Sequence, residues 1–454
     1  MSNSLEDIVS LCKRRGFIYQ GSDIYGGLAG TWDYGPLGSQ LKRNIVNEWL
    51  KFFVDGWDDM YLIDTSILMN PKVWQASGHT ETFNDPLVED VETKKRYRLD
   101  HLLESAGVEN VDKMTFDQMV ATLKEKGIKS LDGNQLGNPA QFNLLFKTSV
   151  GAIENENSAV YLRGETAQGM FVNFKNIIDS FYPDLPFGIA QIGRTFRNEI
   201  SPRDFVFRAR EFEIMEFEYF IKAEEWQKGF EKWLKDMSTW FEKLGLDKNK
   251  IKEHEVPAED RAHYSERTVD FYYDFPSLGF DEIAGLAYRT DFDLKNHQEH
   301  SGKNLEYRPK DGGEPFIPHV IEPTFGVDRH VMAVLSNAYT VDQIGGEERI
   351  VLKLPANLAP YRVAVSPLLK NKQELVSKAR EVFNEIKRVY PNTTWDDNGN
   401  IGKRYRRQDE IGTPYCITID FTTLEDATVT VRDRDTTEQK RVEIQNLAAA
   451  ISKS

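Results

Sequence analysis

Between residues 194 and 220 the chain reads RTFRNEISPRDFVFRAREFEIMEFEYF, arginines alternating with aromatic rings and followed by carboxylates. Side chains at i and i+2 of a strand share a face. Two paired strands would therefore send Arg197 with Glu199 to one surface, joined there by Arg208, Arg210, Phe212, Ile214 and Glu216. The ISPRDF stretch, with Pro202, supplies a polar turn between them. A guanidinium is planar, permanently charged, and grips phosphate oxygens with two parallel donors. A phenylalanine ring offers a flat apolar partner for a base. The set suits a nucleoside triphosphate; the same alternation also suits an amphipathic hairpin whose charges are solvated. No G-x-x-x-x-G-K-[ST], G-x-G-x-x-G or H-E-x-x-H occurs, so phosphate binding here would rest on arginines and not on a glycine-rich backbone cradle.

The elements that must hold these residues follow from periodicity. Leu5 to Arg15 is amphipathic, and a glycine-rich stretch, SDIYGGLAGTWDYGPLG (22–38), precedes a second helical pattern at 39–54 with Leu41, Ile45, Trp49 and Phe52 or Phe53 in helical phase. MYLIDTSILMNP (60–71) reads as a strand ended near Pro71. Residues 86–145 are charged and helix-rich and read as an insertion. β character resumes at Ala159, with helical spacing at 169–178, then the arginine hairpin, and EEWQKGFEKWLKDMSTWFEKLGL (224–246) is strongly amphipathic within a second insertion at about 221–265. Strand-like runs return at 269–294 and 318–327, and a helix begins after Phe325-Gly326. VLKLPANLAP (351–360) reads as a boundary. Beyond it strand and helix alternate, as in a small α/β domain.

The chain has 454 residues, a formal charge of −15 and two cysteines. That length allows more than one domain, and Cys12 and Cys416 suggest neither a disulfide framework nor a thiolate zinc site. The start has acids and no apolar run, unlike a secretory signal or transit peptide, and no run is long enough to span a membrane; a cytoplasmic location is expected. From Tyr361 onward there are 16 Lys/Arg against 14 Asp/Glu, compared with 41 against 58 before it. The tail segment would repel an anionic partner less.

The run F196-R-N-E199, a loop, then R208-A-R-E-F212-E-I-M-E216 resembles motif 2 of the class II aminoacyl-tRNA synthetases. IEPTFGVDRHVMAVL (321–335) resembles motif 3, and the helix–strand–proline run ending at Pro71 resembles motif 1. IYGGLAGTWDYGPLGSQLKRN (24–44), KKRYRLDHLLE (94–104), YLRGETAQGMFVNF (161–174), DEIAGLAYRTDFDL (281–294) and VIEPTFGVDR (320–329) narrow the resemblance to the homodimeric glycyl-tRNA synthetase family, and LKLPANLAPYRVAV (352–365) is similar to its join to an anticodon-binding domain. The resemblance implies an α+β fold. Residues 1–352 would form a catalytic domain on an antiparallel sheet flanked by helices, 353–360 a linker, and 361–454 an anticodon-binding domain with a mixed sheet.

It also implies roles. Arg197 would hold the ATP α-phosphate, Arg208 and Arg329 the outer phosphates, and Phe212 would stack on adenine. Asn198, Glu199, Phe207, Glu282, Ile283, Gly326 and Arg289 complete the ATP set, Arg289 as a further phosphate position. Glycine would lie in an acidic pit of Glu165, Glu216 and Glu322 beside Phe212 and Gly326, capped by Thr324, with Arg98 across the pocket. The family carries Ser where this chain has Thr324. Arginines 197, 208 and 329 would be catalytic. Taken singly, each has a plainer reading: Glu165 as a turn acid, Arg329 as an ion-paired helix residue, Gly326 as relief for a tight turn.

The implied reaction is attack of the glycine carboxylate on the α-phosphorus, releasing pyrophosphate, followed by transfer to the 3′-OH of tRNA(Gly). Mg²⁺ would accompany ATP, with Glu199 and Glu282 as candidate ligands; no zinc is expected. Because no amino acid is smaller than glycine, exclusion by crowding suffices and no editing domain is expected. GKRYRRQDE (402–410) groups Lys403, Arg404, Arg406 and Arg407 around Tyr405, as a tRNA-contacting patch or a solvated loop. A homodimer without membrane contact is expected. The alternative is a synthetase-like nucleic-acid-binding accessory protein without catalysis, which would typically lack the ATP arginines or the pit acids.

Overall fold

The computed structural model describes residues 4–111, 114–152 and 158–452, so two residues of the 86–145 segment and the last two of the chain lie outside the described residues. Its centre is a seven-stranded sheet built from β1 (Met60–Leu62), β2 (Phe187–Phe196), β3 (Glu211–Ile221), β4 (Ile251–Glu255), β5 (Arg267–Phe275), β6 (Gly279–Thr290) and β7 (His319–Gly326). The spatial order is β4-β5-β6-β7-β3-β2-β1. Every pairing is antiparallel except β1 with β2.

The alternation along β3 divides the labour of the sheet. Met215, Phe217, Tyr219 and Ile221 are buried in the main core, where Phe217 and Trp233 place their ring centroids 4.7 Å apart. Burial of a ring of this size stabilises by roughly 1.5–3 kcal/mol. The in-between positions, Phe212, Ile214, Glu216, Glu218 and Phe220, therefore project from the opposite face. One strand thus carries both a core ridge and a polar row.

Helices cover both faces. On the core side lie α1 (Leu5–Arg15) and α2 (Pro36–Phe53). Pro36 occupies the first turn of α2, where its missing N–H costs nothing. Leu41, Ile45, Trp49 and Phe53 recur every four residues and are fully buried. On the other face α3 (Ala167–Phe181) packs Phe171 and Phe174 against Phe187 and Phe220. The helix expected inside a second insertion, α4 (Trp226–Lys243), is an integral wall of the core, with Trp233 and Trp240 fully buried. α5 (Phe292–Ser301) follows β6, and α6 (Val327–Ala338) follows β7.

Two local expectations are corrected. The 60–71 segment is split into short strands, Met60–Leu62 and Leu68–Met69. Pro71 opens a helix, Pro71–Ala76, capped by the Asn70 side chain. The 86–145 region, expected to be helix-rich, holds a three-stranded sheet of Asn84–Glu89, Arg96–Arg98 and Ala140–Asn143 beside helices Leu99–Ser105 and Phe116–Glu125, with its own cluster around Val88, Leu103 and Leu123.

The C-terminal part forms the expected mixed sheet, from β8 (Val363–Pro367), β9 (Thr393–Trp395), β10 (Tyr415–Ile419), β11 (Thr428–Asp433) and β12 (Gln439–Glu443), ordered β9-β8-β10-β11-β12. β8 runs parallel to both neighbours, and the other pairs are antiparallel. Helices α7 (Gln373–Val389) and α8 (Ile401–Glu410) lie between its strands in sequence. Polar contacts tie this part and the segment leading into it to the rest: Asn44 donates to the carbonyls of Leu358 and Ala359 at 3.0 Å, and Arg14 meets Glu410 at 2.6 Å. No helix among the described residues is long and apolar enough to cross a membrane.

Candidate active site

The arginine segment pairs as expected but turns differently. β2 and β3 pair from Phe187↔Phe220 to Phe196↔Glu211, so Arg197, Glu199, Arg208 and Arg210 lie in the connecting loop and not on the strands. The loop is fixed from outside. Arg210 donates its backbone N–H to Gly30 O at 2.8 Å and Nη1 to Ala29 O at 2.7 Å. At Gly30 φ is +72°, and a Cβ would come within 2.4 Å of Pro202. The glycine-rich 22–38 stretch thus clamps the loop, and Arg210 is a clamp residue.

Beneath the loop is a cavity of about 260 Å³ lined by Arg197, Glu199, Phe207, Arg208 and Phe212 from one side and by Glu282, Ile283, Thr324, Gly326 and Arg329 from the other. Arg197 lies between the rings of Phe83 and Phe212, 5.2 and 5.3 Å from their centroids, and its Nε donates to Gly164 O at 3.3 Å. It has no carboxylate partner among the described residues. Arg329 is oriented by Glu282, through the carbonyl at 2.8 Å and Oε2 at 3.1 Å, and by the Phe207 ring at 4.4 Å.

Arg208 buries Nη1 with no hydrogen-bond partner, and Glu199 likewise buries Oε2. Burial pulls the Arg208 guanidinium below its ordinary pKa, opposed by the nearby Glu199 charge. An unmade buried donor costs about 1–3 kcal/mol or more when charged, so an orphaned guanidinium beside other arginines is a site prepared for an anion. Gly326 has an ordinary φ of −73°. A Cβ there would only touch the Arg329 side chain at 3.5 Å, so the protein's own packing does not demand glycine; the missing side chain leaves the cavity open.

Next to this cavity lie the acids. Glu165 precedes α3, Glu216 is on β3 and Glu322 on β7. Glu216 accepts from Thr166 Oγ1 at 2.5 Å and Thr324 Oγ1 at 2.8 Å. Burial, then the charges of Glu322 and Glu165, push its carboxyl up to about 8. Burial would also raise Glu165, but His79 Nε2 at 3.2 Å, Arg289 and Gln168 hold it well below the usual range. Glu322 is raised by burial and Glu165 against the pull of Arg289. Three carboxyls, Glu216 and Glu322 buried and Glu165 largely so, share one region, which strongly favours a cation arriving there.

At four places expected site residues are engaged by the protein itself. Arg289, expected at ATP, is 1% exposed and is bound by both oxygens of Asp293 at 2.8 and 2.9 Å and by Glu322 at 2.6 Å. Buried and held by two carboxylates, it braces the pit and does not line the arginine cavity. Asn198 donates its backbone N–H to Leu144 O at 2.8 Å and lines a separate hollow. Arg98 is paired with Asp85 at 3.1 Å and Asp100 at 2.5 Å at the edge of the site, near Arg208. The basic patch is helix α8, and its arginines are engaged. Arg404 is 2% exposed and donates to the carbonyls of Pro367 and Gly399. Arg407 pairs with Asp396 at 2.7 Å and Arg406 with Glu347; Lys403 alone remains exposed without an ion pair among the described residues.

Two acids escaped the sequence reading. Glu218 is fully buried beside the pit; the same i+2 rule that links Phe212 to Glu216 reaches it one step later. Asp293 sits four residues after Arg289, across the turn from β6 into α5.

Comparison with known proteins agrees with this geometry. Residues 146–338 match the tRNA synthetase class II core domain (G, H, P, S and T), and residues 362–454 match an anticodon binding domain. The glycine–tRNA ligase of Malacoplasma penetrans (strain HF-2) is 48% identical over 448 residues, covering 97% of this chain and 96% of that protein. That of Mycoplasmopsis synoviae (strain 53) is 45% identical over 449 residues, covering 98% of each, and that of Deinococcus radiodurans is 45% identical over 503 residues, covering 99% of each. With 45–48% identity over nearly the full length of these relatives, and the arginine cavity set beside an acidic pit, this chain belongs to the glycine–tRNA ligase family of class II aminoacyl-tRNA synthetases.

Proposed function

We propose that this chain activates glycine with ATP and transfers it to tRNA(Gly). The observation that carries the reading is the pairing of an orphaned guanidinium cavity with a buried carboxyl pit through Thr324, which lines the first and donates to Glu216 in the second. A triphosphate suits one half and an ammonium the other.

In this reading Phe212 stacks on the base, and Arg208 and Arg329 take the outer phosphates. Arg197 takes the α-phosphate, since its Nε is held by Gly164, the residue before Glu165, at the junction of the two halves. The ammonium of glycine lies among Glu165, Glu216 and Glu322, leaving the carboxylate toward Arg197. Two anions must meet in line, so positioning and charge offset supply most of the acceleration. The carboxylate oxygen forms the new bond to phosphorus as the bond to pyrophosphate breaks, and no proton moves in this step.

Mg²⁺ fits as the companion of the nucleotide. Among the described residues no group of three His, Cys, Asp or Glu side chains could hold a metal alone, but Glu199 has an unpartnered Oε2 and Glu282 is half exposed at the cavity. Bound with the triphosphate, the ion would offset phosphate charge.

Residues 1–352 are proposed as the catalytic domain, 353–360 as the linker and 361–454 as the part that contacts tRNA, in the cytoplasm. A homodimer is proposed as well, supported by Ile24, Tyr25 and Leu28, 89%, 86% and 57% exposed in one loop. The test of function is charging: the purified protein with ATP, labelled glycine and tRNA(Gly) should yield glycyl-tRNA. Folded protein that binds tRNA yet forms none would favour an accessory role.

A further inference from the structure

The acidic region holds one carboxyl more than the proposed reaction uses. β3 and β7 pair with Glu216 opposite Thr324 and Tyr219 opposite Ile321. This register sets Glu218 directly opposite Glu322, on the face that carries the pit. Glu218 is fully buried, no donor reaches either of its oxygens, and its carboxyl lies within hydrogen-bonding reach of Glu322. Glu322 is held by Arg289 through Oε2 at 2.6 Å.

The charges facing Glu218 are Glu216 on its own strand, Glu322 on β7, Arg289 on β6 and Asp293 on α5. Arg289 is already shared between Asp293 and Glu322. Two ionised carboxylates facing each other without a cation between them would be driven apart or neutralised. A protonated carboxyl, by contrast, is a hydrogen-bond donor, and Glu322 is the acceptor that the register places across from it. Burial, then the Glu322 charge, push the Glu218 carboxyl well up.

We infer that Glu218 is a positioning residue for glycine: its protonated carboxyl donates to Glu322 and holds that carboxylate where the substrate ammonium binds. The inference rests on the glycine-activating reading above. It also explains why a strand should keep an acid in its interior that no donor reaches. A protonated Glu218 spares the pit one negative charge.

The test measures glycine-dependent ATP–pyrophosphate exchange in Glu218→Gln and Glu218→Leu, with KM for glycine and for ATP determined separately, and the melting temperature. Gln keeps an N–H donor and should hold the glycine KM within about threefold of wild type. Leu has no donor and should raise the glycine KM at least tenfold with the ATP KM unchanged. Its melting temperature should stay near wild type, because the hydrogen bond lost to Glu322 is offset by replacing a buried acid with an apolar group. A merely structural role would instead lower the melting temperature and spare the glycine KM. An unchanged glycine KM in Glu218→Leu, a misfolded Leu variant, or equal loss in Gln and Leu would each overturn the inference while leaving the activity assignment standing. Absence of exchange in the wild-type protein would overturn both.

Discussion

Thr324 donates its hydroxyl to Glu216 at 2.8 Å while lining the arginine cavity, so one hydrogen bond joins the two halves of the site. A hydrogen bond to a charged group contributes about 1.5–3 kcal/mol. Thr324→Val should therefore raise the glycine KM about tenfold to a hundredfold. Thr324→Ser keeps the hydroxyl and should stay near wild type, with its alanine response measured alongside. Equal glycine KM values for the Val and Ser variants would disconnect Thr324 from the pit.

Arg289 and Arg208 should respond in opposite ways to removal. Arg289 is a buried guanidinium whose loss strands Asp293 and Glu322, so Arg289→Met should cost about 3–5 kcal/mol of stability. Arg208 carries an unpartnered buried donor, so Arg208→Met should cost little stability while raising the ATP KM. Chemical denaturation of both variants decides this, and a stable Arg289→Met would return that residue to the candidates for phosphate binding.

The raised pKa of Glu216 gives a pH dependence of defined sign. Its carboxyl titrates near 4.5 when unfolded and about 8 when folded, so the folded state holds the proton more tightly. Its contribution to stability is complete below the unfolded value and is lost as pH rises toward about 8. Glu216→Gln should flatten this fall between pH 5 and 8. Glycine binding at pH 7 should release protons as its ammonium ionises the carboxyl, measurable by titration calorimetry in buffers of differing ionisation enthalpy. Proton uptake would contradict the assignment.

Within helix α8, Arg404 and Lys403 should separate structure from tRNA contact. Arg404→Ala leaves the carbonyls of Pro367 and Gly399 unbonded and should lower the melting temperature of the C-terminal part. Lys403→Ala should leave that temperature unchanged and reduce the salt dependence of tRNA binding by about one ion. An unchanged salt slope would remove Lys403 from the interface.

Residue types and short-range spacing carried much of the site into view. Period-two alternation placed Phe212 and Glu216 on one face, and the four-residue recurrence of Leu41, Ile45, Trp49 and Phe53 marked α2. Burial and partners were harder to read, because they depend on elements distant in sequence. Arg289 looks like any phosphate arginine until Glu322 arrives from β7, although Asp293 four residues on was a local warning. Arg404 and Gln408 share a buried helix face, a phase that the basic composition of 402–410 hides. Pro71 fits both a strand end and a first helical turn, and the preceding Asn70 favoured the second. The strands within 84–143 are three to six residues long, too short to impose a pattern on the charged sequence around them.

The central claim is that an arginine-lined triphosphate cavity and a carboxyl pit act together on the smallest amino acid. It is tested most directly by ATP–pyrophosphate exchange with each amino acid in turn, in wild type and in folded Arg197→Ala. Exchange should respond to glycine and not to alanine or serine, and Arg197→Ala should lower it by about 10²–10³-fold, the scale for losing one donor to developing charge. Exchange supported equally by alanine, or an Arg197→Ala rate equal to wild type, would contradict the account.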